Sequence, residues 1–187
     1  MKKLLNLLLI ILLSVTLSNC KKKPEPTLLE QMAERTETGE ERLVGIVNNE
    51  YIFKNNGIAW VDPEYGLYSW YSETTYGQLY IDGFFFRRDE NGVKHEENLI
   101  IELYNIYSTG EYVIDQRNDG PTGIVNTGQY YKKGNNYHSD STYVGRLTVI
   151  KLDTINKIVA GTFNLNLIND ETNKTITITN GWFDIKY

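Results

Sequence analysis

Catalysis and metal binding need a few residue types at particular spacings, and this chain offers few of them. Its histidines are His95 and His138. Neither falls in a pattern with Ser, Cys or a carboxylate that would make a triad, and both read as solvated loop residues. Zinc takes three or four N or S ligands in most sites, and with the one cysteine expected to be lipidated, two histidines cannot supply them without carboxylates filling in. The run Asp115-Gln116-Arg117-Asn118-Asp119-Gly120 has the outline of a calcium loop. It puts Arg117 at the third position and Asn126 at the twelfth, where a carboxylate is needed. Asn118-Asp119-Gly120-Pro121 reads better as a turn, and the one metal alternative left is a loose Ca²⁺ site on Asp115, Asp119 and carbonyls. Three carboxylate pairs exist: Asp89 with Glu90, Glu96 with Glu97, Asp170 with Glu171. Glycosidase chemistry would need two carboxyls about 5 to 10 Å apart across a cleft. All three pairs lie in stretches that read as exposed turns. The expectation is no catalytic residue, no metal, no cofactor and no enzyme.

Aromatic residues are the other resource. Tyr65, Tyr68, Trp70, Tyr71, Tyr76, Tyr80, Phe84, Phe85 and Phe86 crowd residues 65–86, with Trp60 just before. Aromatic side chains suit strands, and half of them can fill a core. Alternation sets Tyr68 and Trp70 on one face and Tyr71 on the other. Both faces are core only if both are covered. Any Tyr or Trp left over makes a stacking platform for a sugar ring or a protein partner. Trp60, Tyr68, Trp70, Tyr71 and Tyr76 are the candidate ligand contacts.

The start of the chain carries a different signal. Lys2 and Lys3 precede a run from Leu4 to Leu17 that is almost wholly Leu, Ile and Val. Basic residues before a short apolar stretch are the pattern of a secretory signal. A membrane-spanning helix needs about 20 apolar residues, and this run ends sooner, at Ser18 and Asn19. Leu17-Ser18-Asn19-Cys20 resembles a lipobox, with Asn19 where a smaller residue is usual. Cys20 is the only cysteine, so no disulfide forms within one molecule and the domain must be stable without one. Lipid on Cys20 is the expected role, and several acyl chains would hold the protein to a membrane permanently. Lys21 stands where Asp would favour inner-membrane retention, which points to the outer membrane, on either face.

These features divide the chain into a signal peptide over 1–19, a lipidated Cys20 with a polar tether over 20–42, and one domain over 43–187. Loss of residues 1–19 takes two lysines and leaves a net charge near −7. Nucleic acid repels such a surface and is excluded as a partner. The membrane, through Cys20, is the expected partner. The tether is rich in Lys, Pro, Glu and Thr and too polar to order throughout. Thr27 and Glu30 make a capping box within it, which allows a short helix over about 28–36.

From residue 43 onward the sequence reads as strands. Thr162-Phe163-Asn164-Leu165-Asn166-Leu167 alternates strictly, as a half-buried strand does. Lys174 to Thr179 repeats the logic across the polar turn at 169–173. Asn180-Gly181 favours positive φ and marks a hairpin turn or a bulge. Trp182 to Tyr187 reads as the last strand. Leu43 to Asn48, Tyr51 to Lys54, Leu67 to Ser72, Gln78 to Arg87, Asn98 to Tyr107, Tyr112 to Ile114, Gln129 to Tyr131 and Gly145 to Leu152 complete the set. About ten strands imply an all-β fold, an antiparallel sandwich or flattened barrel, because an open sheet that wide would expose its edges.

The C-terminal third resembles the ending of a family of Bacteroidota lipoproteins with no assigned function. The residues that carry the resemblance are Leu152-Asp153, Gly161-Thr162-Phe163 and Gly181-Trp182-Phe183-Asp184 with Tyr187. Thr38-Gly39 and Val47-Asn48-Asn49 match its start. Ala160, Trp182 and Asn49 depart from the family's usual Ser, Arg and Gly, and residues 60–140 match nothing. The resemblance implies an envelope location and a β fold, and no activity. Its motif reads as a folding signature.

The leading functional expectation is an envelope-anchored, non-enzymatic binding module that takes a glycan or protein ligand through aromatic residues 60–86. The alternatives are an envelope-maintenance accessory protein docking another protein, and a carboxylate-based hydrolase.

Overall fold

The structure is a computed structural model that describes residues 26–31, 35–56, 67–72, 77–88, 91–115, 127–132 and 134–187. Cys20 and the signal run lie outside the described residues. Helix α1 (Leu28–Gln31) is a single turn. The capping box is formed: the Glu30 carboxylate accepts from the Thr27 backbone N–H at 2.7 Å, and the Thr27 hydroxyl accepts from the Glu30 N–H at 3.3 Å. Residues 32–34, the middle of the expected helix, lie outside the described residues. Leu29 is exposed.

The rest is antiparallel sheet: β1 (Arg42–Val47), β2 (Tyr51–Asn56), β3 (Leu67–Ser72), β4 (Gln78–Arg88), β5 (Lys94–Leu103), β6 (Gly110–Ile114), β7 (Thr127–Lys132), β8 (Asn135–His138), β9 (Gly145–Asp153), β10 (Ile158–Asn169) and β11 (Lys174–Lys186). The main path runs β2-β1-β11-β10-β8-β7-β5-β4-β3. It curls into a half-barrel, in keeping with the flattened barrel expected. Tyr71 on β3 meets Tyr187 edge-on at 4.9 Å, so the far strand of the sheet returns to the C-terminus.

Strand β10 is a fork. One side pairs with β11 throughout. The other side is shared, by β9 along Ile158–Asn164 and by β8 at Ile168. The two branches leave each other at Leu165. A Cβ on Gly145 would lie 2.7 Å from the Leu165 side chain, and one on Gly128 would lie 3.3 Å from it. Inside the curl, Leu79, Ile81, Leu99, Ile101, Leu103, Leu165, Leu167, Phe183 and Ile185 are buried as alternation requires.

Asn180-Gly181 is a bulge, not a hairpin turn. Strand β11 runs through it, with Phe163 opposite Gly181 and Leu165 opposite Ile178. Asn180 takes φ 52°, and its N–H donates to the Asn164 side chain at 3.0 Å. The first hairpin is as read: Asn48 and Asn49 have φ 49° and 56°, the two left-handed positions of a type I′ turn. Strand β8 carries no alternating apolar signal in Asn135-Asn136-Tyr137-His138 and was not expected; Tyr137 alone turns inward. His138 is therefore a strand residue, as is His95 on β5. Glu97 also departs from expectation. It lies inside β5, wholly buried, and its carboxylate accepts from the Tyr130 hydroxyl. Glu96 beside it points the other way, because neighbours on a strand face opposite sides.

The motif residues have a structural reason. In the β10–β11 pair, Gly161 faces Phe183 and Phe163 faces Gly181. Each phenylalanine ring lies over the other strand's glycine. A Cβ on Gly181 would come within 2.4 Å of the Phe163 ring. A Cβ on Gly161 would meet the Thr148 carbonyl at 2.2 Å and the Phe183 ring at 2.8 Å. Both rings are buried, worth about 1.5–3 kcal/mol each.

Asp184, next along β11, is also buried and faces the opposite side of the sheet. Its carboxylate accepts from the Thr36 hydroxyl (2.6 Å) and from the N–H groups of Gly39 (2.7 Å), Thr38 (3.0 Å) and Glu40 (3.3 Å). The segment 36–40 is thus strapped across the sheet, with Gly39 packed on Ile158 and Lys186 at φ 79°. Lys151 Nζ donates to the Glu37 carbonyl at 2.8 Å and holds the strap's other side. Burial pushes the Asp184 carboxyl up, but the four donors together outweigh it and hold it below the usual carboxylate value.

Gly181→Ala should destabilise the domain by about 1–3 kcal/mol through overpacking, and Phe163→Leu in the same chain should restore part of that. Gly161→Ala should not be restored by Phe183→Leu, because the Thr148 carbonyl stays in place; urea unfolding of the four variants checks both. Asp184→Asn should cost about 1–3 kcal/mol at pH 7. A depressed carboxyl stabilises the fold above its unfolded pKa of about 3.9 and loses that contribution as pH falls through the folded value. The difference between wild type and Asp184→Asn should therefore shrink in melts taken at successively lower pH in the acid range.

Candidate functional site

The face of the sheet turned away from the core is informative over β3, β4, β5, β7 and β8. Alternation along β4 sends Leu79, Ile81 and Phe85 inward, and Gln78, Tyr80, Asp82 and Phe84 outward. On β5 the outward residues are Asn98, Ile100 and Glu102, and on β7 Gln129 and Tyr131. Cross-strand register lines them up in rows. Trp70 pairs with Tyr80, and Tyr80 with Glu102. Phe84 pairs with Asn98, Asn98 with Tyr131, and Tyr131 with Asn136.

Trp70 and Tyr80 stack at 5.9 Å with an angle of 18° between the rings. Next to them, Glu102 accepts from Gln78 Nε2 and from the Tyr104 hydroxyl, both at 2.6 Å. Burial first, and the Glu102 carboxylate after it, push the Tyr104 hydroxyl up to about 12. Tyr104 is therefore a neutral donor at any physiological pH.

The second row forms a groove of about 400 Å³, within the size range of small-molecule sites. Phe84 and Tyr131 flank it, 38% and 39% exposed, and Ile100 in the next row also lines it. Its floor is polar. Asn98 Nδ2 donates to Asp82 Oδ1 at 2.7 Å, and the Tyr80 hydroxyl donates to Asp82 Oδ2 at 3.3 Å. Asn98 is buried, and its side-chain carbonyl accepts no hydrogen bond. Such an acceptor costs about 1–3 kcal/mol where it stays unmet. Burial raises the Asp82 carboxyl above its ordinary value, and the hydrogen bonds from Asn98 and Tyr80 offset this only in part.

The expected contact residues separate. Trp70 is on this face, partly exposed. Tyr68 stands opposite Asp82 in the β3–β4 register. Tyr71 is a correction. It faces the core at 7% exposure, with its hydroxyl donated to the Ile106 carbonyl at 2.6 Å. With aromatics on both faces of β3, alternation alone did not say which face was inside. Trp60 and Tyr76 lie outside the described residues, as do Asp89, Glu90 and residues 116–126 of the calcium-like stretch. Asp82, Phe84, Asn98 and Tyr131 were not singled out. The period-2 pattern of β4 and β5 puts the first three outward together, but nothing in the sequence brings Tyr131 beside them.

An ionised Asp82 opposes folding, because its folded pKa is raised. That penalty is absent below the ordinary carboxylate pKa of about 3.9 and sets in as pH rises through the folded value. Asp82→Asn keeps an acceptor for Asn98 and should stabilise the protein at pH 7, by less than about 1 kcal/mol for a half-exposed group. The gain should vanish toward pH 3 in paired thermal melts.

No curated protein and no solved structure matches the chain. A family model described as "Domain of unknown function (DUF6252)" matches residues 90–184. The match takes in β5 to β11, including residues 90–140 that the ending motif does not reach. It leaves out Thr38-Gly39, Val47-Asn48-Asn49 and the β3–β4 part of the aromatic face. Covering just over half of the chain, it shows that the protein belongs to this family of unknown function.

Proposed function

We propose that this is a lipoprotein of the bacterial outer membrane, held by lipid on Cys20, whose domain binds glycans without transforming them. The anchor is supported by the order of Lys2-Lys3, the apolar run Leu4 to Leu17 and the lipobox-like Leu17-Ser18-Asn19-Cys20. The resemblance of the C-terminal motif to Bacteroidota lipoproteins supports the same location.

The observation that carries the ligand class is the groove between Phe84 and Tyr131. A pyranose ring offers C–H groups on its faces and hydroxyls around its rim. Aromatic faces are electron-rich and attract the C–H side. Asp82, in the lining of the groove, suits hydroxyl donors at the rim. A protein partner would be better served by a dry apolar centre than by a floor with a carboxylate in it. Glu97 is wholly buried on Tyr130. Asp82 and Glu96 line the groove with it, and Asp82 acts as an acceptor for ligand hydroxyls.

The full-length chain in detergent should bind a subset of neutral sugars on an array of defined glycans. Phe84→Ala and Tyr131→Ala should each weaken that binding about tenfold or more with little change in melting, since both rings are partly exposed. Asp82→Asn should weaken it while stabilising the fold. Silence across the array, or binding indifferent to all three substitutions, would sink the reading.

A further inference from the structure

The groove does not stop at Tyr131. Beyond it lies a second hollow of about 270 Å³, lined by Asn136, His138, Asn169, Asp170 and Glu171. The two spaces meet at Gly134, which lines both. Gly134 sits in the β7–β8 turn at φ 78°, and a Cβ built there would touch nothing within 4 Å. Among the described residues, Gly134 is the one that lines both spaces.

Register makes the two spaces one track. Phe84, Asn98, Tyr131 and Asn136 stand in a single row across β4, β5, β7 and β8. Three strand spacings make that row about 14 Å long, more than one pyranose ring can cover. Its chemistry changes along the way. The Phe84 end is aromatic, with Asp82 and Asn98 in its lining. The far end is wholly polar: His138 Nε2 lies 3.3 Å from Asp170 Oδ2, and Asn169 is fixed by donating to the Asn136 carbonyl at 2.7 Å. Among the described residues, Asp82, Glu96 and Glu97 line one space and Asp170 and Glu171 the other, against Lys132. That excess of carboxylates disfavours an anionic sugar.

We infer that the ligand is a linear oligosaccharide of neutral or amino sugars, bound along its length, with one unit stacked between Phe84 and Tyr131 and the next crossing Gly134 into the Asn136–Asp170 hollow. This rests on the glycan reading of the groove. It adds that recognition needs at least two linked sugars, and that uronic-acid chains are excluded.

The test uses soluble linear oligomers of one to six units, in glucose, N-acetylglucosamine, glucosamine, mannose, xylose and galacturonate series. They are titrated calorimetrically into the full-length chain and into two variants. Gly134→Asn keeps a residue that tolerates positive φ and places a side chain on the divide. Asn136→Ala leaves the backbone acceptor of Asn169 in place. In at least one neutral or amino series, affinity should rise about tenfold or more between one and four units, with galacturonate silent. Both variants should remove that rise and keep the affinity for the single sugar. A flat series, a rise that both variants retain, or galacturonate binding overturns the extended track while the single-sugar groove stands. Loss of binding in every series overturns the groove as well. A variant with an altered circular dichroism spectrum is set aside, and the other decides.

Discussion

Everything in this fold hangs on the close approach of β10 and β11. Two glycines let two phenylalanine rings lie flat on the facing strand, and neither strand could carry a Cβ there. The contact fixes the register of the pair, because a slip of one residue would put each ring against a side chain instead of a bare backbone. β10 then sets the fork, with β9 and β8 sharing its other edge. β11 sets the closure, with β1 on its free side. The outer-face rows across β4, β5, β7 and β8 depend on the same register, passed on from β10 through β8 and β7.

Asp184 shows how one residue can serve two layers. It is next to Phe183 in sequence and so must face the other side of the sheet. There it finds four donors from a stretch of chain that precedes the first strand. A buried carboxylate without partners would be costly. With four, it becomes the pin that holds the strap. The same logic in weaker form explains Asp82. It has two donors and is half-exposed, so its burial is only partly offset. The fold keeps a carboxylate there that it would be more stable without, and such tolerated costs collect at functional sites.

The sheet was legible in the sequence wherever one face is apolar and the other polar. Strands such as Thr162 to Leu167 declare themselves, because period-2 alternation is the direct imprint of a half-buried strand. Legibility failed for three physical reasons. β8 has a single inward residue, Tyr137, and is held by its neighbours rather than by pattern. Asn180-Gly181 has the chemistry of a turn, and only the pairing of β11 with β1 and β10 on either side decides that it is a bulge. Glu97 breaks alternation by burying a charge that Tyr130 satisfies from another strand. For the proposed groove, the sequence showed the aromatic stretch but not the grouping: Tyr71 belongs inside, and Asn98 and Tyr131 reach the groove through pairings that are long-range in sequence.

The strap and the β1–β11 ladder together join the two ends of the domain: Arg42 pairs with Asp184, and Thr36 is bound by that same residue. The first strand therefore has no partner on that side until the last one exists. Such long-range pairings fold slowly. A chain delivered from its N-terminus can pair β1 with β2 and β3 with β4 early, but the strap and the β1–β11 ladder wait for residues 174–186. The order of synthesis therefore makes this closure a late event.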